Sequence, residues 1–445
     1  MQRLQRILGL ALPIIGGMVS QNVLNLVDTA MVGRLPDPAA ALGAVGIGGF
    51  ANFAAMALLL GLSTGVQATA ARRKGEGKCE EMARPLNAGL AIAALAAPVL
   101  SILLCLLTPW VYPFLVDDPA VIALGVPYLQ IRLLSMVFVA MNFAFRGYWN
   151  AVDMARVYMT TLVVMHAVNI VLNYVFIFGH FGAPQLGVAG AGLASAISTV
   201  VGTSVYAYMG LRLARPAGFL RLRPSWAEVQ RLISLSLPSS VQQLAFSSGM
   251  LATFVIIARL GTVELGAANI LINVMLVALL PGMGFGLASA TLVGQALGRN
   301  DAADAERWGW DVCRVSAAVL TLLAVPMWAA PQLIISLFLS AQQAGGEAIV
   351  EAATFPMRLV GFSMTVEAAG MVFMHSLLGA GDTRRVMKVA VLMQWGVFLP
   401  VAWLIGPVLG GGLTAVWFAQ IAYRGVQAGV FAKYWTDRRW SAVTV

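Results

Sequence analysis

Asp28, Asn169, Asn173 and Ser195 are the residues whose types and spacing carry the most chemistry. Asp28 lies in LGLALPIIGGMVSQNVLNLVDTAMV (8–32), a run otherwise apolar and long enough to cross a bilayer. An ionised carboxylate inside hydrocarbon costs several kcal/mol, so an acid there marks a place where a cation or proton binds, unless it snorkels or pairs structurally. With about 1.5 Å of rise per residue, Asp28 lies roughly 9 Å inward of Arg34, Asn173 roughly 10 Å inward of His180 and Ser195 roughly 12 Å inward of Gly187. Three helices therefore bring oxygen-bearing side chains to one level. Asn169 and Asn173, four apart, share a helix face. One carboxylate with amide and hydroxyl oxygens suits a hard cation, Na+ at Asp28, Asn169 and Asn173, and equally a cradle that tunes a carboxyl proton.

Glu367 is the second deep acid, about 14 Å inward of Arg358 by helical rise. It either carries function or pairs with Arg358 or another polar residue. His375 lies eight residues on, two helical turns away on the same face, where it could relay a proton or serve structure. Arg424, inside the last span, is expected to pair with a carbonyl or an acid, or to snorkel, and is not counted as a site residue. His166 and His180 are weaker candidates.

Composition sets what must hold these groups. The 445 residues are 60% hydrophobic and only 11% charged, with a mean hydropathy of +0.83, which indicates an all-α polytopic membrane protein. Twelve apolar segments are long enough to span: 8–32, 40–68, 87–112, 122–145, 157–179, 187–211, 232–259, 265–293, 314–339, 352–378, 386–408 and 412–432. The net charge of +9 follows from topology, not nucleic-acid binding. Of the 28 Lys and Arg, all but Arg34, Arg132, Arg259, Arg358 and Arg424 fall on or near the side of the N-terminus. That asymmetry predicts both termini in the cytoplasm. Cys79, Cys105 and Cys313 imply no disulfide framework and no metal cluster. The N-terminal run has no small-residue cleavage site and reads as a first helix, not a signal peptide. No Walker, zinc or G-x-S-x-G motif appears in a suitable context, which argues against an ATP-driven pump or a membrane hydrolase, and no enzyme activity or cofactor is expected.

The sequence also repeats itself. Leu12-Pro13 returns as Leu237-Pro238, Arg34-Leu35 as Arg259-Leu260 and Leu42-Gly43-Ala44 as Leu265-Gly266-Ala267; Phe145, Arg156 and Met159 return as Phe373, Arg384 and Met387. Two six-helix lobes related by a parallel pseudo-two-fold repeat are expected, 1–211 and 232–445, joined by a basic cytoplasmic linker, 212–231. Paired lobes of this kind favour a transporter over a scaffold or receptor.

PIIGGMVSQNVLNLVDTAMVGRL, NIVLNYVFIFGHFGAPQLGVAGAGLASA, ASATLVGQALGRNDAADAERWG and GAGDTRRVM together resemble the multidrug and toxic compound extrusion family, NorM-like branch, over nearly the whole chain. The resemblance implies a multidrug efflux antiporter of the bacterial inner membrane, exporting amphipathic or cationic organic compounds in exchange for Na+ or H+ by alternating access, likewise without a cofactor beyond the coupling ion. In some members the position matching Asn173 is a second aspartate, whereas NorM-type sequences often carry LNY, as here. Glu367 matches an acidic position of the tenth helix. The seventh helix departs: where the branch has a glutamate eight residues after the proline, this chain has Phe246, and its polar residues there are Gln242 and Gln243. With Glu367 and His375 these form the expected substrate and coupling set. A lipid-linked precursor flippase of the broader superfamily would need cationic residues deep in a cavity, and a receptor or scaffold would need no deep acids. A monomer in the lipid bilayer, with small-molecule organic substrates and no nucleic-acid partner, completes the expectation.

Overall fold

The computed structural model describes residues 2–338 and 346–443 and is almost wholly helical. The helices are α1 (Gln2–Val32), α2 (Pro38–Gly75), α3 (Arg84–Val111), α4 (Pro119–Leu134), α5 (Met136–Ala151), α6 (Ala155–Phe178), α7 (Gly187–Met209), α8 (Trp226–Ala258), α9 (Thr262–Gly298), α10 (Ala302–Ala329), α11 (Pro331–Ser336), α12 (Gly346–Gly379), α13 (Thr383–Val391), α14 (Leu399–Trp403) and α15 (Gly412–Thr436). π-helical turns, Leu392–Phe398 and Leu404–Val408, flank α14 and join it to α13 in one span.

Local chemistry sets several helix starts. Asp37 caps α2 by accepting from Ala40 N at 3.2 Å, Asp118 caps α4 from Ala120 N at 2.8 Å, and Asp301 caps α10 from Asp304 N at 2.8 Å. Pro38 and Pro119 occupy first helical positions, where a missing N–H costs nothing. Gly179 closes α6 with φ +76°, a left-handed conformation that suits glycine.

Among the described residues ten helices are long and apolar enough to cross a membrane, and α4 with α5 forms an eleventh span broken by 50°. The expected span 122–145 is thus two helices, separated at Ser135, whose hydroxyl donates to Arg132 O at 2.7 Å. The twelfth expected span is present as α15, although it does not meet the same apolarity test. The ninth, 314–339, corresponds to α10, which begins at Ala302 and ends at Ala329; its last residue lies outside the described residues.

The chain divides into two compact units, 16–240 and 1–15 with 241–445. These divisions fall inside α1 and α8, not in the expected linker, and the side chains show why. At the start of α1, Arg3 pairs with Asp304 at 2.9 Å and Asp311 at 2.7 Å and lies 3.8 Å from the Trp308 ring centre. Arg6 donates to Gln295 at 2.5 Å. At the start of α8, Glu228 pairs with Arg73 and with Arg84, the latter at 3.2 Å, and Asn87 donates to Gly218 O at 2.9 Å and Leu222 O at 2.8 Å. In the first unit α2 packs on α4 and α5, and α6 on α7; in the second α12 packs on α9, α10 and α15.

Membrane helices gain little from the hydrophobic effect on association and rely on close packing of small residues. A Cβ on Gly379 of α12 would stand 2.4 Å from Ala290 O of α9. Gly379→Val is expected to lower the thermal unfolding midpoint, by an overpacking cost of about 1–3 kcal/mol. Gly46→Ala is the control, since nothing lies within 4 Å of its Cβ position. Equal midpoints for the two variants would contradict this packing.

Candidate functional site

The first unit contains a polar seam between two parallel helices. Gly17 of α1 meets Tyr158 and Leu162 of α6, closely enough that a Cβ would stand 2.9 Å from the tyrosine ring. Further along, Ser20 Oγ lies 3.0 Å from His166 Nδ1, and Gln21 Oε1 3.1 Å from His166 Nε2. One more pair of turns on, Asn173 Nδ2 donates to Asp28 Oδ1 at 2.5 Å. The contacts keep a register of 145 or 146 residues throughout, so one face of α1 runs against one face of α6. Small residues at one end let the helices approach, and polar residues fill the seam beyond.

Asn173 is fully buried and Asn169 is 2% exposed. Asn173 Nδ2 also lies 2.9 Å from Asn169 Oδ1. The other end of the Asn169 amide faces α7, 3.2 Å from both Ser195 Oγ and Ser198 Oγ. Turned over, the Asn169 amide donates to Asp28 Oδ1 at 3.1 Å and accepts from Ser195 N at 3.2 Å. Asp28 itself is half-buried. One oxygen breaks the pattern: Asn173 Oδ1 is buried and has no hydrogen-bond partner among the described residues. An unsatisfied buried acceptor costs about 1–3 kcal/mol. It is Nδ2 of this amide that faces Asp28, and only a turn of the amide would bring its oxygen to the carboxylate, where it could ligand a cation.

Asp28, Asn169, Asn173 and Ser195, placed at one level by helical rise, therefore lie in one hydrogen-bonded group. Ser198 belongs to it too and was missed from sequence. The available signal was its spacing, three residues after Ser195 on the same face of α7. His166, ranked low from sequence, adjoins the group through the same seam.

In the second unit the outcome differs. Glu367 of α12 is 5% exposed, and its carboxylate is clamped by Arg424 of α15. Arg424 Nε donates to Oε1 at 2.7 Å and Oε2 at 3.0 Å, and Nη2 donates to Oε2. Arg424 Nη1 reaches Gln427 Oε1 at 2.8 Å. Bidentate, charge-assisted contacts of this kind are the strong ones, and burial makes them interdependent. Glu367 is thus one member of a neutral pair, and its partner is Arg424, not Arg358. Gln242 donates to Met374 Sδ at 3.1 Å, Gln243 is half-buried on the same helix, and His375 Nδ1 lies 2.9 Å from Met371 O. The His375 ring packs against Gly286 of α9, where a Cβ would stand 2.6 Å from Nδ1.

The MatE family model matches residues 13–175 and again 238–404. The two matches begin 225 residues apart, the same offset that separates Leu12-Pro13 from Leu237-Pro238. A probable multidrug resistance protein NorM from Bradyrhizobium diazoefficiens is 30% identical over 95% of this chain and 91% of its own length. One from Agrobacterium fabrum is 26% identical over 93% and 89%. A multidrug resistance MATE family transporter of the MOP superfamily, solved in an outward-facing conformation, superposes with a TM-score of 0.89 at 20% identity, covering 99% of this chain and 97% of that one. A MOP superfamily transporter from Pyrococcus furiosus superposes at 0.87, also at 20% identity, over 98% and 95%.

Proposed function

Because this chain belongs to the MatE family, a non-enzymatic family of multi-span membrane transporters, we propose that it is a secondary active multidrug efflux antiporter. It exports amphipathic or cationic organic compounds in exchange for Na+ or H+ by alternating access. The observation that carries the reading is the Asp28 group with its unpartnered Asn173 oxygen. The printed names of the relatives, probable multidrug resistance proteins, support the substrate class.

The chemistry of the group follows from its residue types. An asparagine presents either N–H or oxygen to the same point after a half-turn of its amide. With no cation present, the amides donate to the Asp28 carboxylate and stabilise its charge. When a cation arrives, the amides of Asn169 and Asn173 turn their oxygens inward, and the serine hydroxyls supply further oxygen ligands. A proton instead neutralises the carboxylate directly. Either event removes one negative charge from the seam, and a cationic compound that depends on that charge is released. The amide and hydroxyl ligands serve both coupling ions, so the experiment must separate them.

Ethidium efflux from energised vesicles, with Na+ and pH gradients imposed one at a time, tests the reading. One of the two gradients is expected to drive efflux above the level of vesicles lacking the protein. No response to either would overturn coupled export.

We further propose that both termini are cytoplasmic, a reading the basic-residue asymmetry supports, and that the protein works as a monomer in a bacterial inner membrane. Cys79 gives a direct test. It is exposed, in the loop between α2 and α3 that the basic helix ends Arg72, Arg73, Lys74 and Arg84 flank, whereas Cys313 is buried. An impermeant thiol reagent is expected to label Cys79 in inside-out vesicles alone, and the label should vanish in Cys79→Ser. Labelling from the outer face would invert the topology.

A further inference from the structure

We propose that the loop between α7 and α8, residues 210–225, docks on the membrane surface and binds the phosphate groups of anionic phospholipids. The loop lies at the depth this needs. α7, Gly187–Met209, has 23 residues, about 34 Å at the helical rise, enough to cross a hydrocarbon core of about 30 Å. The chain therefore leaves the hydrocarbon at the π-helical turn Gly210–Ala214. It is then held against the start of α3. Ala83 N donates to Ala217 O at 2.9 Å. The buried Asn87 clamps the loop, accepting from Leu220 N at 3.0 Å besides its two bonds to Gly218 O and Leu222 O. Phe219 packs inward on Phe145, ring centres 5.8 Å apart.

What the clamp leaves outside is apolar and basic by turns. Leu220 is 67% exposed and held at φ +53°, a left-handed conformation unfavourable for a leucine. The loop thus keeps in strain a large apolar side chain that touches little of the protein. Leu211, Leu213, Leu222 and, at the start of α8, Trp226 are exposed with it. Arg212, Arg215, Arg221 and Arg223 are interleaved with them and exposed. None of these four arginines is in an ion pair among the described residues. The carboxylates Glu81 and Glu228 at this end of the helices are taken by Arg73 and Arg84. Glu80, whose carbonyl adjoins Gly218, sets one acid against the four.

These features together select one partner. Leucine and tryptophan side chains enter the boundary between headgroups and acyl chains, and an arginine at that level meets phosphate oxygens, which its guanidinium holds by two parallel hydrogen bonds. Arg212 also lies 5.1 Å from the ring centre of Tyr208, a residue type that gathers at this interface. A soluble anion would satisfy the arginines and leave the leucines in water. A zwitterionic lipid would cover the leucines but offset its own phosphate charge. An anionic lipid meets both needs, and each arginine near its surface is worth about fivefold in affinity. The proposal does not depend on which compounds the protein exports.

The test puts a reporter at the tip of the loop. Leu220→Trp keeps a large apolar side chain, and its fluorescence is read as the difference from the wild-type full chain in phosphatidylcholine nanodiscs containing brominated lipid. Quenching is followed against the mole fraction of brominated phosphatidylglycerol or brominated phosphatidylcholine, which gives the relative affinity of the two lipids for the tip. Phosphatidylglycerol is expected to be preferred about fivefold or more, and aqueous iodide should quench little. Changing Arg212, Arg215, Arg221 and Arg223 together to Gln in the Leu220→Trp chain should bring the preference close to one. Quenching by brominated phosphatidylcholine that persists in that variant shows that it is folded and in place. Arg221→Gln with Arg223→Gln is the smaller change and should lower the preference part of the way. Sodium phosphate should reduce the preference no more than sodium chloride of equal ionic strength. Strong quenching by iodide, equal affinities for the two lipids before the arginines are changed, or a preference undiminished in both arginine variants would each overturn the proposal. So would a selective loss in phosphate, which marks a site for a free anion.

Discussion

Asp28→Asn is expected to reduce gradient-driven efflux to the level of vesicles lacking the protein while leaving folded protein in the membrane. The substituted amide has nearly the size of the carboxylate and can still exchange hydrogen bonds with Asn173, which sits 2.5 Å away. What it lacks is the charge. A neutral side chain neither holds a coupling cation against the cost of dehydration nor takes up a proton, so both coupling modes fail together. Asn173→Ala should do less harm, because it removes ligand oxygen but keeps the charge. Efflux, Na+ dependence and pH dependence measured in the same vesicles separate these cases. Wild-type coupled transport in Asp28→Asn would remove the seam from the mechanism.

Glu367→Gln is expected to act first on stability. Arg424 is a buried arginine, its side chain only 16% exposed, with its guanidinium committed to Glu367 and Gln427. Removing the carboxylate leaves that charge without its counter-ion, and breaking a buried pair by one partner costs about 3–5 kcal/mol. Removing both members should cost much less, since two apolar groups of similar volume often replace a buried pair with little loss. The expected order of thermal unfolding midpoints in nanodiscs is therefore wild type, then Glu367→Leu with Arg424→Met, then Glu367→Gln. If Glu367→Gln unfolds with the wild type and loses only drug affinity, the carboxylate acts on the ligand directly. A buried pair of this geometry makes that second outcome the unexpected one.

The polar seam and the ion pair differ in how far they could be seen in advance. Helical rise brought Asp28, Asn173 and Ser195 to one depth because each sits a countable distance from a recognisable helix end. Depth says nothing about rotation about the helix axis, which is why Ser198 and the contact of His166 with Ser20 and Gln21 went unseen. For Glu367, counting found the depth and missed the partner. Arg424 is 57 residues away on a different helix, and sequence spacing carries no information about which helices lie side by side. Gln242 likewise took a partner on another helix, Met374 Sδ, that its position did not announce.

The sequence by itself determined the membrane class, the helical character, the spans and the internal repeat. Hydrocarbon enforces these through the main chain: each crossing needs about twenty apolar residues and must satisfy its own backbone hydrogen bonds, so composition and length leave one solution. The family followed from motifs kept in order along the chain. Only the tertiary structure decided the break at Ser135, the assignment of residues 1–15 to the second half of the chain, and the neutralisation of Glu367 by Arg424. These depend on which helix faces meet. Between helices in lipid that choice is made by small residues, interhelical hydrogen bonds and ion pairs distant in sequence, and no local pattern encodes it.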